Sequence, residues 1–170
     1  MKKMKRLVAV LLVGIMALAM LTACGVTPSA PSMRDTALER DVAQWTVELG
    51  KNQKLTLTLD SELTEISNKC LPTAVKAVDA RLAFPRDWNV YDNALNEQKT
   101  FFAEAKKGKT AALVPVDFPS GIEVTENTLA NRKNDIWDKL RDADVNNPTK
   151  FGVTVTKQKE YTLVLFVVSE

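Results

Sequence analysis

No histidine occurs anywhere in the 170 residues. That absence removes the commonest general base, so neither a Ser-His-Asp nor a Cys-His nucleophile pair can be built. It also removes the imidazole ligands on which most zinc sites depend, and no metal or other cofactor is expected. Cysteine is nearly as scarce: there are two, Cys24 and Cys70, too few for a disulfide framework. The longest apolar run, Leu7 to Leu21, has 15 residues, short of the ~20 needed to span a bilayer. Nor is there a basic stripe interleaved with aromatics, so nucleic acid is not an expected partner.

What is present begins at the amino terminus. Lys2, Lys3, Lys5 and Arg6 precede the apolar run, which is the plan of a secretory signal. The run ends in "LTAC", Leu21 to Cys24, which resembles the lipobox of bacterial lipoproteins. The resemblance implies that the Cys24 thiol takes a diacylglyceryl group and that the chain is cut before it. Two or three acyl chains hold a protein to a membrane essentially permanently. Residues 1–23 are therefore expected to be a signal peptide and Cys24 the lipidated residue. The domain would sit in the cell envelope, on the outer side of the cytoplasmic membrane or at the outer membrane. Loss of the four basic residues turns 23 Lys and Arg against 21 Asp and Glu into 19 against 21. The apparent basicity of the chain thus belongs to targeting.

Residues 25–33, "GVTPSAPSM", are small and proline-containing without hydrophobic period, and residues 24–34 read as the lipidated cysteine and a flexible tether. Residues 35–170 are enough for one domain with a sizeable core. Cys70, the remaining thiol, is expected to be a buried structural residue.

Leu38, Val42, Trp45 and Leu49 recur at helical spacing, with Gly50 as the expected stop. A second stripe takes Leu59, Leu63, Ile66 and Cys70, with Asp60 or Ser61 capping it. Pro72 is expected to break or kink it before Val75, Val78 and Leu82 resume the face. A third helix carries Tyr91, Leu95, Phe101 or Phe102, and Ala105, ending at Gly108. A fourth, about Asn131 to Asp142, carries Ile136, Trp137 and Leu140.

The period then changes to two. "KTAALVPV" reads as a strand, placed at an edge by Pro115. In "FGVTVTKQKEYTLVLFVV", Phe151, Val153 and Val155 alternate with small or polar residues, a turn follows at Lys157 to Glu160, and a strand returns. The returning strand is apolar on both faces, so it must be central and covered above and below. The predicted fold is α+β: a three-layer α-β-α sandwich around a small antiparallel sheet.

Three stretches carry a family resemblance. "KLTLTLDSELTEISNK" resembles the opening of a bacterial CAP domain (the cysteine-rich secretory, antigen 5 and pathogenesis-related 1 group). "VTENTLA" is similar to that family's Gly-Glu-Asn segment, with Thr125 in place of the glycine. "DIWDKLRDADVNNPTKFGVTVTKQKEYTLVLFV" resembles its closing helix, Asn-Pro loop and last two strands. The resemblance implies a cleft that in intact members bears two histidines and two acidic residues. Here it leaves Glu126, with Asn127 beside it, as candidate ligand-binding residues and supplies no metal site.

Other chemistry is thin. Asp60, Glu62, Glu65, Glu123 and Glu126 offer carboxylates, but no spacing singles out a glycosidase pair. "DADVNN" from Asp142 starts like a calcium loop, then puts Asn147 where glycine belongs and Val153 where a bidentate glutamate is needed. No catalytic residue is assigned. The expected function is a lipid-anchored envelope domain, joined to membrane lipid through acylated Cys24, that binds a lipid, a small ligand or another envelope protein without catalysis. The competing reading is an envelope hydrolase acting on glycan or peptide through carboxylates alone, which requires a buried pair with perturbed acidity.

Overall fold

A computed structural model describes residues 34–170. The signal segment, Cys24 and residues 25–33 of the tether lie outside the described residues. In chain order the elements are α1 (Thr36–Asn52), β1 (Thr58–Leu59), α2 (Ser61–Leu82), α3 (Trp88–Ala105) and β2 (Ala111–Pro119). They continue with α4 (Glu126–Ala130), α5 (Lys133–Asp142), β3 (Lys150–Lys157) and β4 (Tyr161–Ser169). The fold is α+β, with strand order β1-β3-β4-β2.

Alternation along β3 and β4 builds the middle layer. The two strands pair antiparallel across the turn that follows Lys157, and β2 pairs antiparallel with the other side of β4. The doubly apolar strand is thus central, and β2, with its Pro115, lies at the edge. The two-residue β1 adds a parallel pairing, Thr58 with Lys150 and Leu59 with Phe151, so the sheet is mixed rather than wholly antiparallel.

On one face Phe151, Val153, Val155, Val164, Phe166 and Val168 meet Val42 of α1, Leu129 of α4 and Leu140 of α5. On the other, Leu163, Leu165 and Val167 meet Leu63, Ile66, Cys70, Leu71, Ala74 and Val78 of α2. Outside α2, α3 packs through Ala94 against Ala77 and Ala80, residues small enough for the two helices to approach closely.

Helix starts follow the expected chemistry. Asp35 and Asp60 accept from the backbone N–H of Leu38 and Leu63, satisfying donors that a helix start leaves free. Asp60 is therefore the cap of α2, and Leu59 falls in β1, half-exposed, rather than on the inward stripe. At the far end Leu82 lies past the sheet and is exposed. Pro72 does not break α2, which runs through it as one element. Pro72 itself faces solvent, and apolar contacts to the sheet hold the helix before and after it. Gly50 is not a stop, because α1 continues to Asn52 and the left-handed residue is Lys54, at φ 61°. Gly50 is instead a point of close approach: a Cβ there would lie 2.9 Å from Leu57 Cδ1.

The side of β3 that carries small and polar residues is buried rather than wet. α2 crosses Gly152 at backbone contact, and the Ser67 hydroxyl lies 2.7 Å from Thr154 Oγ1 while donating to the Leu165 carbonyl at 2.7 Å. The outer edge of β3 is covered at its carboxyl end by the start of the described chain. Arg34 bridges Thr156, and Asp35 N–H donates to the Val155 carbonyl at 3.0 Å. The Val155 N–H donates at 3.0 Å to Glu39, a buried carboxylate that Arg34 grips with two nitrogens at 2.9 and 2.6 Å. Arg34 thus belongs to the folded unit, one position ahead of the domain start expected from composition.

Candidate functional site

The alternation Leu55, Leu57, Leu59 after α1 lays an extended segment beside the sheet, and its first two leucines turn inward. With Leu49 and Thr46 of α1, Leu129 of α4, Ile136, Trp137 and Leu140 of α5, and Phe151 and Phe166 of the sheet, they line a half-open cavity of about 90 Å³. Gly50 and Pro148 complete its wall, and Gln53 and Lys133 stand at its exposed margin. The lining holds no carboxylate. An engineered apolar cavity of ~150 Å³ binds benzene, so this space suits the end of an alkyl chain rather than a whole drug-sized molecule. Lys133 would place a cation at its mouth. Sequence reasoning found Ile136, Trp137 and Leu140 as core residues but not the cavity, whose walls come from six separated segments.

A second concavity gathers Asp60, Glu62, Lys109, Lys150 and Glu170 at the end of the sheet where β3 begins. Its carboxylates are already partnered: Glu62 with Lys109 at 2.6 Å, and Asp60 with Lys150 at 3.7 Å. The N–H of Leu63 holds the Asp60 carboxyl below the usual carboxylate range, the opposite direction from that needed by a general acid. Glu65 pairs with Lys69. Glu170 accepts the backbone N–H of Asn146 and Asn147, closing the Asn-Pro turn. Among the described residues no group of three or more His, Cys, Asp or Glu side chains could hold a metal ion, the Asp142 loop included.

Glu126 and Asn127 are exposed in the first turn of α4, a helix of five residues capped by a reciprocal Thr125–Thr128 pair. Neither lines the apolar cavity, which α4 reaches through Leu129. Cys70 is fully buried between α2 and the sheet, and burial pushes its thiol up to about 11. Burial also raises the Tyr161 phenol, which donates to Asp79 Oδ1 at 2.7 Å.

These two groups set an alkaline limit to stability. Both are neutral when folded, whereas in the unfolded chain they ionise at ordinary values of 9.0 and 10.0. Their contribution is complete below about pH 9 and is lost as pH climbs toward and beyond 11. The urea midpoint should therefore fall between pH 9 and 11, and Cys70→Ala should fall less steeply over that range. Equal slopes for the two proteins would contradict this. At pH 8 the native thiol should resist an aromatic disulfide reagent that modifies the unfolded chain at once.

No family model, curated protein or solved structure matches this chain.

Proposed function

We propose that the protein is a lipid-anchored envelope protein whose domain holds an amphipathic ligand, with the apolar end in the cavity between α1, α5 and the sheet and an anionic head at Lys133. The observation that carries this reading is the carboxylate-free apolar lining of that cavity. Such a wall offers apolar contact, with the Thr46 hydroxyl already donating to the Val42 carbonyl and no carboxylate to act as a base, which favours a binder over a carboxylate-dependent hydrolase. The lipobox-like "LTAC" supports anchoring through Cys24. The CAP-like reading is supported by chain order, since α5, the Asn-Pro turn and the β3–β4 hairpin follow one another as the resemblance implies.

Octanoate is a suitable probe because Trp137 lines the cavity and reports occupancy by its emission. Saturable change is expected with the wild type and none with Ile136→Trp, which fills the space. Lys133→Glu should weaken octanoate about fivefold, the scale of an exposed ion pair, and leave octanol unaffected. Unsaturable change, or equal binding by Ile136→Trp, would sink the reading. For the anchor, Cys24→Ser should abolish acyl labelling and leave the precursor uncut.

A further inference from the structure

The exposed apolar side chains are gathered at one end of the domain. Among the described residues, Leu82, Phe84, Trp88, Val90 and Ile122 lie exposed there, with Leu59 and Phe101 elsewhere. Phe84, in the connection between α2 and α3, is 100% exposed, and Trp88 is 59% exposed. The Arg86 guanidinium lies over the Trp88 ring at 4.8 Å, and Trp88 meets Tyr91 edge-on at 6.1 Å. Leu82 and Phe84 border Gln158, Lys159 and Glu160 of the β3–β4 turn. Ile122 joins the same end, since the N–H of Ser120 donates to the Glu160 carbonyl at 2.7 Å.

The chain enters the domain at that end too. Arg34 bridges Thr156, and Asp35 pairs with Lys157 at 2.6 Å, next to the turn. From Cys24 to Arg34 the chain reaches no more than about 36 Å when fully extended. The far end of the domain lies the length of α2 away, about 33 Å for its 22 residues, and there Asp60, Glu62, Lys109, Lys150 and Glu170 make the surface charged. The tether therefore joins the domain at the apolar end, not the charged one.

We propose that Phe84, Trp88 and their apolar neighbours dock the domain onto the phospholipid bilayer that holds its anchor, entering the headgroup–acyl boundary. This rests on the anchored reading above. Aromatic rings beside a cationic side chain suit that boundary, where one part of the group stays wet and the other does not. Arg86 and Lys159 are offset by Asp87 and Glu160, so apolar contact rather than net charge drives the docking. It should persist in high salt.

The chain from Cys24 onward, coupled through Cys24 to a maleimide-bearing lipid in phosphatidylethanolamine–phosphatidylglycerol vesicles, supplies the test. The described residues, 34–170, form one compact unit, and the buried Cys70 leaves Cys24 as the reactive thiol. The emission assigned to Trp88, obtained by difference from Trp88→Phe, should fall at least about twofold when the lipids are brominated near the headgroups. Phe84→Ser with Leu82→Ser should restore it. Equal emission in brominated and plain vesicles would overturn the proposal. So would Trp88 emission that responds to an added envelope protein but not to brominated lipid. Chemical coupling supplies the anchor whatever the cell does, so the mass of the Cys24 peptide from cells judges the anchored reading separately.

Discussion

Gly152→Ala is expected to unfold the protein. An ideal Cβ at this position would lie 2.1 Å from Leu63 C and Thr64 N and 2.5 Å from the Leu63 carbonyl oxygen. These are backbone atoms near the start of α2, with no flexible side chain to swing away. Relief requires the helix to lift by more than an ångström. Lifting it opens the contacts of Leu63, Ile66 and Cys70 with Leu163, Leu165 and Val167, and it pulls Ser67 from Thr154 and the Leu165 carbonyl. Overpacking alone costs about 1–3 kcal/mol, and a lost buried hydrogen-bond network adds to it, so a loss above about 4 kcal/mol is expected. Gly50→Ala is the control. Its Cβ would meet Leu57 Cδ1 at 2.9 Å, the far end of a rotatable side chain, and alanine gains about 1 kcal/mol of helix propensity there. Urea unfolding should show Gly50→Ala close to the wild type and Gly152→Ala without a cooperative transition. A normal transition in Gly152→Ala would mean that α2 does not rest on β3 in this way.

The same contact shows where the sequence was readable and where it was not. The period of two in "FGVTV" revealed a strand and which side carried valine, because a pleated strand alternates by itself. It did not reveal that Gly152, Thr154 and Thr156 face a helix, since small and polar residues suit solvent equally well. That distinction depends on Leu63, Thr64 and Ser67, nearly ninety residues away. Leu59 and Leu82 failed for a related reason. Both continue the apolar spacing of α2, but Leu59 precedes the Asp60 cap and lies in the edge strand β1, while Leu82 ends the helix beside the β3–β4 turn, and neither is buried there. Gly50 resembled a stop because glycine suits a left-handed position, whereas here it makes room for Leu57.

The candidate site was less legible than the fold. Glu126 and Asn127 drew attention through a short resemblance, and they lie exposed on α4 with the cavity reached only through Leu129. The cavity itself has no sequence pattern. Trp137 and Ile136 belong to one helical stripe, Leu55 and Leu57 to an extended alternation, and Phe151 and Phe166 to two strands. Each was recognisable as apolar in its own element. That the elements leave a gap between α1 and α5 follows from their docking, which no local period records. The exposed end has the opposite history: Leu82 was expected inside, and its position outside, next to Phe84, is what makes the surface worth testing.

Glu39→Ala is expected to cost about 2–4 kcal/mol, the largest loss from any single polar substitution at the start of the described chain. In "LERD" the residue looks like an ordinary solvated glutamate, yet it is buried and performs two tasks at once. It accepts the Val155 N–H, a donor on the outer side of β3 with no strand to pair with, and it receives both nitrogens of Arg34. Alanine leaves the N–H buried and unpaired and releases Arg34, so the first turn of α1 loses its tie to the sheet. Glu39→Gln should cost less, because the amide oxygen still accepts from Val155. Arg34→Ala should cost about 1 kcal/mol, since the guanidinium is partly exposed and solvent replaces some of what it supplies. Glu39→Ala with Arg34→Ala should cost less than the sum of the two, because the second loss removes a partner the first has already stranded. Urea midpoints of the four proteins decide it, and a Glu39→Ala loss below about 0.5 kcal/mol, within the range of an ordinary surface change, would show that the carboxylate is not holding the edge. Hydrogen exchange adds a spatial readout. The Val155 amide should lose protection in Glu39→Ala while Val164, its antiparallel partner in β4, keeps it, because only the outer side of β3 depends on this clamp. The clamp also fixes where the tether leaves the domain, beside the β3–β4 turn that Leu82 and Phe84 border. Loosening it should therefore weaken bilayer docking of the anchored chain even though no residue of the docking surface has changed.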